Sequence, residues 1–353
     1  MTAQDADQTD HLIDQVHRAT ANRTPLNIIG GGTKSGYGRV PMGAPLKMAD
    51  HRGVLAYEPT EMVITARAGT PLSQVEALLA AHHQGLAFEP PRFGPSSTLG
   101  GVVAAGLCGP ARPFAGAVRD SVLGVRVMNG KGQVLRFGGT VFKNVAGFDA
   151  FRLMAGGMGM LGPLLDISLR VAPLAQVQRT LCLEADWSAA QAQLTGLMRR
   201  PLPMTGAFHQ NGRLYIRLAG GPAAVESAAH KIGGDTMDQS IWSDVRDMTR
   251  PLLAAPRLWR LSVPQAAMIE GLAGQWTMDW AGSQRWLVTD AVPATVLAAA
   301  RTAGGHATLF RGAAPDEEVF APLADSLLAL HQRIKAVFDP AGIFNPGRMY
   351  KEL

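Results

Sequence analysis

Three glycine-rich segments in the first half of the sequence place the strongest constraint on its fold. They read GGGTKSG at residues 30–36, GPSSTLGG at residues 94–101 and GGMGMLG at residues 156–162. The first follows a short apolar run and the third precedes one, so both lie next to predicted β-strands. Because glycine lacks a Cβ atom, its backbone N–H groups can approach a single anion closely. The pattern predicts loops that cradle a ligand.

The first segment taken alone leaves two interpretations open, a phosphate-binding loop or a tight turn. It is not a Walker A loop, because Thr33 rather than glycine precedes Lys34, and it lacks the G-x-G-x-x-G spacing of a dinucleotide-binding turn. The second segment adds the hydroxyl groups of Ser96, Ser97 and Thr98, which can bind a ligand, cap a helix, or do both. Three such segments in one domain favour ligand binding.

Composition excludes several classes of protein. The 353 residues are 47% hydrophobic and 17% charged, which is typical of globular domains. The basic residues behind the net charge of +5 are scattered, so nucleic-acid binding is not indicated. Two cysteines, Cys108 and Cys182, cannot ligate an iron–sulfur cluster that needs four thiolates. Their scarcity and the acidic N-terminal residues predict a cytoplasmic protein without an export signal.

The pattern of apolar residues predicts a mixed α and β chain. Helical spacing predicts helices at residues 10–22, 70–81 and 323–338. Alternating or short apolar runs predict strands at residues 26–29, 54–57, 62–68 and 164–171. The turn sequence NGKG predicts a hairpin of residues 122–128 and 133–137. Thr70, Ser73 and Glu76 have the spacing of a possible capping box for the second helix.

We place a domain boundary at residues 173–175, where the glycine-rich loops give way to a simpler alternation of strands and helices. One strand and helix unit is predicted at residues 181–232, and a second, weaker one at residues 259–310. The last helix and the extended tail IFNPGRMY form a third part. The expected division is therefore 1–174, 175–320 and 321–353, with an α+β fold.

The order of the three glycine segments, with the third leading into a strand that ends LRVAP, resembles the FAD-linked oxidase family, the vanillyl-alcohol oxidase type of flavoprotein. The resemblance implies a PCMH-type FAD-binding domain of two α+β subdomains, a reduced α+β cap or substrate domain, and a C-terminal tail that returns to FAD. In that family the first two segments surround the FAD diphosphate, and the third contacts the adenine and ribose end.

Matched residue by residue, the resemblance implies these FAD-binding positions: Gly30, Gly31, Gly32, Thr33, Lys34, Ser35, Gly36, Pro95, Ser96, Ser97, Thr98, Leu99, Gly100, Gly101, Gly159, Gly162, Ile167 and Asn345. Asn345 lies in the tail, where an Asn-Pro pair is also a common turn former, so both interpretations stay open.

Further motifs resemble the FAD-binding subunits of bacterial glycolate oxidases along essentially the whole chain. They are RFGG followed by FKNVAGFD, RGVLAYEPTEMVITARAGTPL, AGGHATLFR and FDPAGIFNPGRMY. The resemblance implies a complex with a larger FAD-containing subunit and an iron–sulfur subunit that oxidises glycolate to glyoxylate without producing NADH. The substrate it implies is glycolate or a related small 2-hydroxyacid. It also implies possible peripheral association with the inner face of the cytoplasmic membrane through that complex.

The chain departs from relatives that bind FAD covalently or use a metal. Gly32 stands where covalent members often have a histidine, and Cys108 lies beyond the second segment, so we expect non-covalent FAD. The metal motif HxGDGNxH and the GEHG segment of many D-2-hydroxyacid dehydrogenases are missing, so no metal is expected.

Substrate oxidation requires a base and a cation to hold the carboxylate. His306 is the candidate base, although a lone histidine is more often structural. The spacing selects no cation among Arg119, Arg260, Arg285 and Arg348. Three functions therefore stay open: a redox subunit of a glycolate oxidase complex, a flavin-carrying scaffold without substrate chemistry, or a stand-alone FAD-dependent oxidase.

Overall fold

The computed structural model of the protein describes residues 5–140 and 149–353. Most of the motif FKNVAGFD, residues 142–148, lies outside the described residues. The chain divides into two compact units. The first comprises the described residues within Met1–Leu107, Ala117–Leu174 and Pro322–Leu353, and the second comprises Cys108–Gly116 and Ala175–Ala321.

The α-helices are α1 (Thr9–Asn22), α2 (Leu72–Ala80), α3 (Leu99–Ala105), α4 (Arg112–Ala115), α5 (Val118–Ser121), α6 (Trp187–Leu197), α7 (Pro222–Ile232), α8 (Ser240–Arg246), α9 (Pro293–Thr302) and α10 (Asp325–Phe338). The β-strands are β1 (Leu26–Ile29), β2 (Ala44–Lys47), β3 (Val54–Glu58), β4 (Val63–Arg67), β5 (Gln84–Leu86), β6 (Val122–Met128), β7 (Val134–Gly138), β8 (Leu164–Pro173), β9 (Val177–Glu184), β10 (Met204–Gln210), β11 (Arg213–Gly220), β12 (Asp235–Met237), β13 (Leu258–Ser262), β14 (Gln275–Asp279), β15 (Gln284–Val288) and β16 (His306–Arg311). The expected α+β class is confirmed.

The first unit is built on an antiparallel sheet in the order β3-β4-β8-β6-β7, with β5 also paired to β8. The predicted hairpin is present, and Met128 of β6 pairs with Val134 of β7. A separate parallel pair, β1 and β2, carries the first glycine segment directly after Ile29. The central position of β8 follows from its sequence, because six consecutive residues from Leu164 to Leu169 are buried.

The C-terminal tail belongs to the core of the first unit. Leu12 and Val16 of α1 pack in one apolar cluster with Leu46 of β2 and with Ile343 and Phe344 of the tail. The buried face of α1 repeats at helical spacing, which is why this helix was predictable. Helix α1 and the start of the C-terminal tail are thereby packed beside Leu26 of β1.

The second unit contains one antiparallel sheet in the order β12-β9-β11-β10-β14-β15-β13-β16. The two strand and helix units predicted from the sequence share this one sheet. The junction is a single register pair, His209 of β10 with Met278 of β14, and the Thr277 hydroxyl donates to the His209 carbonyl at 2.5 Å. The sequence analysis had missed both of these strands.

A short segment, Cys108–Gly116, packs with the second unit, whereas the sequence division had placed it in the first. The guanidinium of Arg112 lies 4.5 Å from the ring centroid of Trp280, and the indole N–H of Trp280 donates to the Gly109 carbonyl at 2.9 Å. An aromatic partner far along the chain therefore holds this segment, and local sequence carries no signal of it.

The capping box expected at the second helix is also wrong. Pro71 is the N-cap residue of α2, and no side chain caps it. The hydroxyl of Thr70 instead accepts from the amide of Gly53 at 3.0 Å and donates to the carbonyl of the same residue at 3.1 Å. The hydrogen bonds of Thr70 with Gly53 therefore take the place of the predicted helix cap.

Asp166 of β8 lies in a buried cluster of charges. Its carboxylate is 2.5 Å from Arg126, 3.5 Å from His51 and 3.6 Å from Arg67, and Arg67 also pairs with Asp5 at 2.6 Å. Burial alone would raise the pKa of the Asp166 carboxyl, but the contacts with His51, Arg126 and Arg67 outweigh it and hold the pKa below its usual value. Folding is therefore favoured while Asp166 is ionised.

We predict that the substitution Asp166→Asn lowers the free energy of unfolding at pH 7 by about 3–5 kcal/mol, because it removes the carboxylate paired with Arg126 and one of the carboxylates around the buried Arg67. The pKa of Asp166 is depressed in the folded state, so its contribution is present above the unfolded value of about 3.9 and is lost as pH falls through the folded value. Urea denaturation from neutral to acidic pH measures both effects.

The control is Asp149→Asn, which removes a carboxylate that is 52% exposed and paired with Arg152 at 3.1 Å on the surface. Such a pair contributes about 0–1 kcal/mol. Equal losses of stability in the two variants would contradict the role assigned to the Asp166 cluster.

Candidate functional site

A cavity of about 350 Å³ in the first unit lies where the three glycine segments meet. Its wall is formed by the loop after β1, the start of α3, the loop before β8 and the C-terminal tail. These parts are distant in sequence, so the cavity is a product of the tertiary structure.

The first segment presents free backbone donors. The amides of Gly31, Gly32 and Thr33 have no hydrogen-bond acceptor in the part of the chain that the structure describes. Gly32 has a φ of +73°, a conformation that other residues adopt only at a cost, and a Cβ atom there would meet open space. All three residues line the cavity. Consecutive free amides of this kind suit an anion.

Gly31 is required for a different reason. A Cβ atom on it would lie 1.5 Å from the carbonyl oxygen of Ser96, so the first and second segments touch backbone to backbone. The Ser96 hydroxyl donates to the Gly31 carbonyl at 2.8 Å across the same contact. Absence of a side chain at this position sets the distance between the two loops.

Hydroxyl groups of the second segment cap α3 and bind the first segment. Thr98 caps α3 by accepting from the amide of Gly101 at 3.2 Å. Ser97 accepts from the Lys34 ammonium at 2.9 Å, and the same ammonium donates to the Arg92 carbonyl at 3.2 Å. Thr98 thus acts as the helix cap that the sequence left as an alternative.

The third segment meets the tail at Asn345. The side-chain oxygen of Asn345 accepts from the amide of Ile28 at 2.7 Å, and its amide nitrogen donates to the carbonyl of Met158 at 2.6 Å. A Cβ atom on Gly159 would lie 2.7 Å from that nitrogen. Asn345 also has a φ of +41°, which asparagine tolerates better than most residues. It lines the cavity and joins two of its walls.

A buried lysine, Lys335, binds the backbone next to this junction. The Lys335 ammonium donates to the carbonyls of Met160 at 2.7 Å and Phe344 at 2.6 Å, and to Asp339 at 2.7 Å. Burial lowers the pKa of Lys335, and the charge and hydrogen bond of Asp339 partly oppose this. Asp339 in turn accepts from the amides of Ile343 and Phe344. The start of the tail is therefore held at three backbone groups, and the carbonyl of Met160 joins it to the third glycine segment.

The cavity suits a ligand with an anionic part and an apolar part. Among its described lining residues the charged side chains are Lys34 and Arg348, with no carboxylate. Apolar side chains such as Met48, Met154 and Leu164 form other parts of the wall. Free amides with two cations fit a diphosphate, and the apolar wall fits a ring system.

Most of the positions implied by the resemblance meet at this cavity. The ones that line it are Gly30, Gly31, Gly32, Thr33, Lys34, Ser35, Thr98, Gly100, Gly101, Gly159, Gly162 and Asn345. The ones outside its lining are Gly36, Pro95, Ser96, Ser97, Leu99 and Ile167. Ser96 and Ser97 hold the glycine loops, and Ile167 is a fully buried strand residue.

Of the candidates for substrate chemistry, Arg348 is among the described lining residues of the cavity, whereas His306, Arg119, Arg260 and Arg285 are not. His306 begins β16 of the second unit and pairs with Ser262; burial and the charge of Arg260 lower its pKa. Arg285 is buried and donates to the Ala267 carbonyl at 2.6 Å. Arg119, in the first unit, is 67% exposed. The part of His306 as a base stays a prediction.

Sequence analysis missed several lining residues. They include Ile28, Tyr37, Pro41, Met154, Met158 and Arg348. Met158 lies inside the third glycine segment and Tyr37 directly follows the first, so their positions in the sequence could have identified both. Arg348 had been considered only as a cation for a substrate carboxylate.

Comparison with known proteins agrees with this site. A sequence profile described as FAD binding domain matches residues 5–138, and one described as the C-terminal domain of FAD linked oxidases matches residues 317–349. Together they include the first two glycine segments and the tail.

One relative matches the chain from end to end. Glycolate oxidase subunit GlcE of Escherichia coli (strain K12) is 43% identical over 350 residues, which is 99% of each chain. Glycolate oxidase subunit GlcD of Bacillus subtilis (strain 168) is 28% identical over 211 residues, covering 59% of this chain and 45% of that protein.

A solved structure of alkyldihydroxyacetonephosphate synthase is similar in fold, with a TM-score of 0.68 over 96% of this chain and 74% of that one at 14% identity. The structural likeness concerns the fold, and the sequence matches identify the family. The chain belongs to the FAD-linked oxidases, in the family of glycolate oxidase GlcE subunits, and its cofactor is FAD.

Proposed function

We propose that this protein is the FAD-binding E subunit of a glycolate oxidase complex, which oxidises glycolate to glyoxylate and passes electrons through its flavin to an iron–sulfur partner. The match to GlcE carries this proposal, because the 43% identity extends over 99% of both chains. Bound FAD would supply the acceptor for the hydride removed from the substrate.

The cavity of the first unit holds FAD through its backbone. We assign the diphosphate to the free amides of Gly31, Gly32 and Thr33, supported by the absence of any competing acceptor for them among the described residues. Gly159 and Asn345 also line the cavity, and we assign the adenine and ribose end to the third segment, as the family resemblance implies. Lys34 adds a positive charge to the loop.

FAD is held without a covalent bond. Gly32 offers no nucleophile, and the described residues that line the cavity contain neither histidine nor cysteine. These are the residue types that the resemblance associates with covalent attachment.

Partner subunits supply what these 353 residues lack. Two cysteines cannot bind a four-thiolate cluster, so the iron–sulfur centre resides on another chain of the complex. The larger FAD-containing subunit is of the GlcD type, whose Bacillus subtilis member is similar to this chain. No helix within residues 5–140 and 149–353 has the length and apolarity needed to cross a bilayer. We place the protein in the cytoplasm, with any membrane association mediated by the complex.

A flavin-carrying scaffold without substrate chemistry is the second candidate. The titratable side chains in the described lining of the cavity are Lys34, Tyr37 and Arg348, so the lining offers no imidazole or carboxylate as a general base. This favours a subunit that stores or relays electrons while glycolate is oxidised on the larger subunit.

We predict that Gly31→Val reduces the flavin content of the purified protein at least tenfold, because a side chain at Gly31 must displace the backbone of Ser96 and open the cradle. The matched substitution Gly36→Val, in the same loop, meets open space and is expected to keep most of the flavin. Flavin absorbance per protein measures both. The second unit should unfold at the same temperature in each variant; equal flavin loss in both variants would contradict this explanation.

We predict that acid precipitation of the purified protein leaves all FAD in the supernatant, since no side chain attaches it. Fluorescence of the supernatant and of the washed, proteolysed pellet measures the two fractions. Flavin that remains with the peptides would overturn the non-covalent assignment.

We predict that glycolate, added without oxygen, bleaches the flavin absorbance of the assembled complex and not that of the isolated subunit. Acetate, which lacks the hydroxyl group to be oxidised, is the control. Bleaching of the isolated subunit would reject the scaffold candidate, and a complex that glycolate leaves oxidised would overturn the proposed function.

A further inference from the structure

Arg348 stands out among the residues of the cavity wall. It comes from the C-terminal tail, its residue surface is only 6% exposed, and it lines the cavity beside the first glycine segment. Buried arginines normally pair with a carboxylate, because an unpaired buried charge is costly.

The hydrogen bonds of Arg348 go to backbone carbonyls. Its guanidinium donates to the carbonyl oxygens of Ser35 at 2.9 Å, Tyr37 at 2.5 Å and Lys34 at 3.3 Å, and also to that of Arg39. Four carbonyls of one loop therefore converge on one side chain. The fork of donors fixes the path of residues 34–39, which directly follow the free amides.

No carboxylate neutralises this guanidinium. Among the described residues, no Asp or Glu lies within ion-pair distance of Arg348. Burial lowers the pKa of Arg348 to about 10, which leaves the group charged at neutral pH. Carbonyl dipoles solvate the charge and do not cancel it, so the cavity wall carries a buried positive charge with no protein counterion.

We propose that Arg348 is a positioning residue for the FAD diphosphate: it holds the loop at residues 34–39 in place and supplies the buried positive charge that the diphosphate balances. The inference rests on FAD being the ligand of this cavity, as proposed above. It gives the tail residue Arg348 a part in cofactor affinity that the glycine segments alone do not provide. An interaction between opposite charges in a site of low dielectric is stronger than at the surface.

The test uses the flavin-free full chain and two probes, ADP and adenosine, which differ in the diphosphate. The variants are Arg348→Gln, Arg348→Lys and the control Arg18→Gln, which removes one exposed charge from α1. Isothermal titration gives the dissociation constants at about 50 mM and about 500 mM salt. Thermal unfolding of each flavin-free variant reports on its fold.

We expect Arg348→Gln to weaken ADP binding at least tenfold and adenosine binding less than threefold, with a smaller salt dependence for ADP than in the unsubstituted protein. Arg348→Lys should keep most of the preference for ADP over adenosine, because it retains the charge while losing the fork of donors. Arg18→Gln should bind both probes as the unsubstituted protein does.

Equal losses for ADP and adenosine in Arg348→Gln would overturn the electrostatic part, and unchanged ADP binding would overturn the inference as a whole. If Arg348→Gln does not fold, a loss of the ADP preference in a folded Arg348→Lys protein overturns it. Failure of the unsubstituted chain to bind either ADP or FAD would instead reject the cofactor assignment on which the inference depends.

Discussion

The hydrogen bonds of Asn345 are the contact on which the cavity depends. Its side chain bridges Ile28 at the end of β1 and Met158 in the third glycine segment, which are 317 and 187 residues away in sequence. A single amide group satisfies a donor on one wall and an acceptor on the other. Without it, the partly buried amide of Ile28 and the buried carbonyl of Met158 would lose these partners, and an unpaired buried polar group costs about 1–3 kcal/mol.

A buried ion pair, Lys335 with Asp339, holds Asn345 in position. Lys335 of the last helix and Asp339, which directly follows that helix, bind the carbonyl and the amide of Phe344, so the position of the next residue, Asn345, is fixed. The apolar contact of Phe344 with Leu12 and Leu46 adds an anchor in the core. A cavity whose glycine motifs lie in the first half of the chain is thus completed by the tail residues Asn345 and Arg348.

Buried or partly buried arginines of the first unit have two kinds of partner, carboxylates and backbone carbonyls. The buried guanidinium of Arg67 and the partly buried one of Arg126 have carboxylate partners, and they contribute to folding. Arg348 has carbonyl partners only, and its charge remains available to a ligand. The difference is the basis for assigning Arg67 and Arg126 to a structural cluster and for proposing Arg348 as a residue that acts on the cofactor. It also explains why counting basic residues in the sequence could not identify the relevant one.

The sequence by itself determined the local features whose cause is local. The glycine segments, the hairpin at NGKG and the amphipathic helices α1 and α10 were all predictable, because backbone freedom and apolar periodicity act over a few residues. The resemblance carried by those segments was sufficient to predict an FAD-linked oxidase, which the family matches confirm.

Only the tertiary structure decided how the pieces meet. A single register pair between β10 and β14 joins two predicted units into one sheet, and Trp280 draws Cys108–Gly116 into the second unit. Gly31 is required by the backbone of Ser96, and Thr70 binds Gly53 in place of capping a helix. These contacts join residues that are far apart along the chain. No local sequence pattern shows which of those residues come close in space.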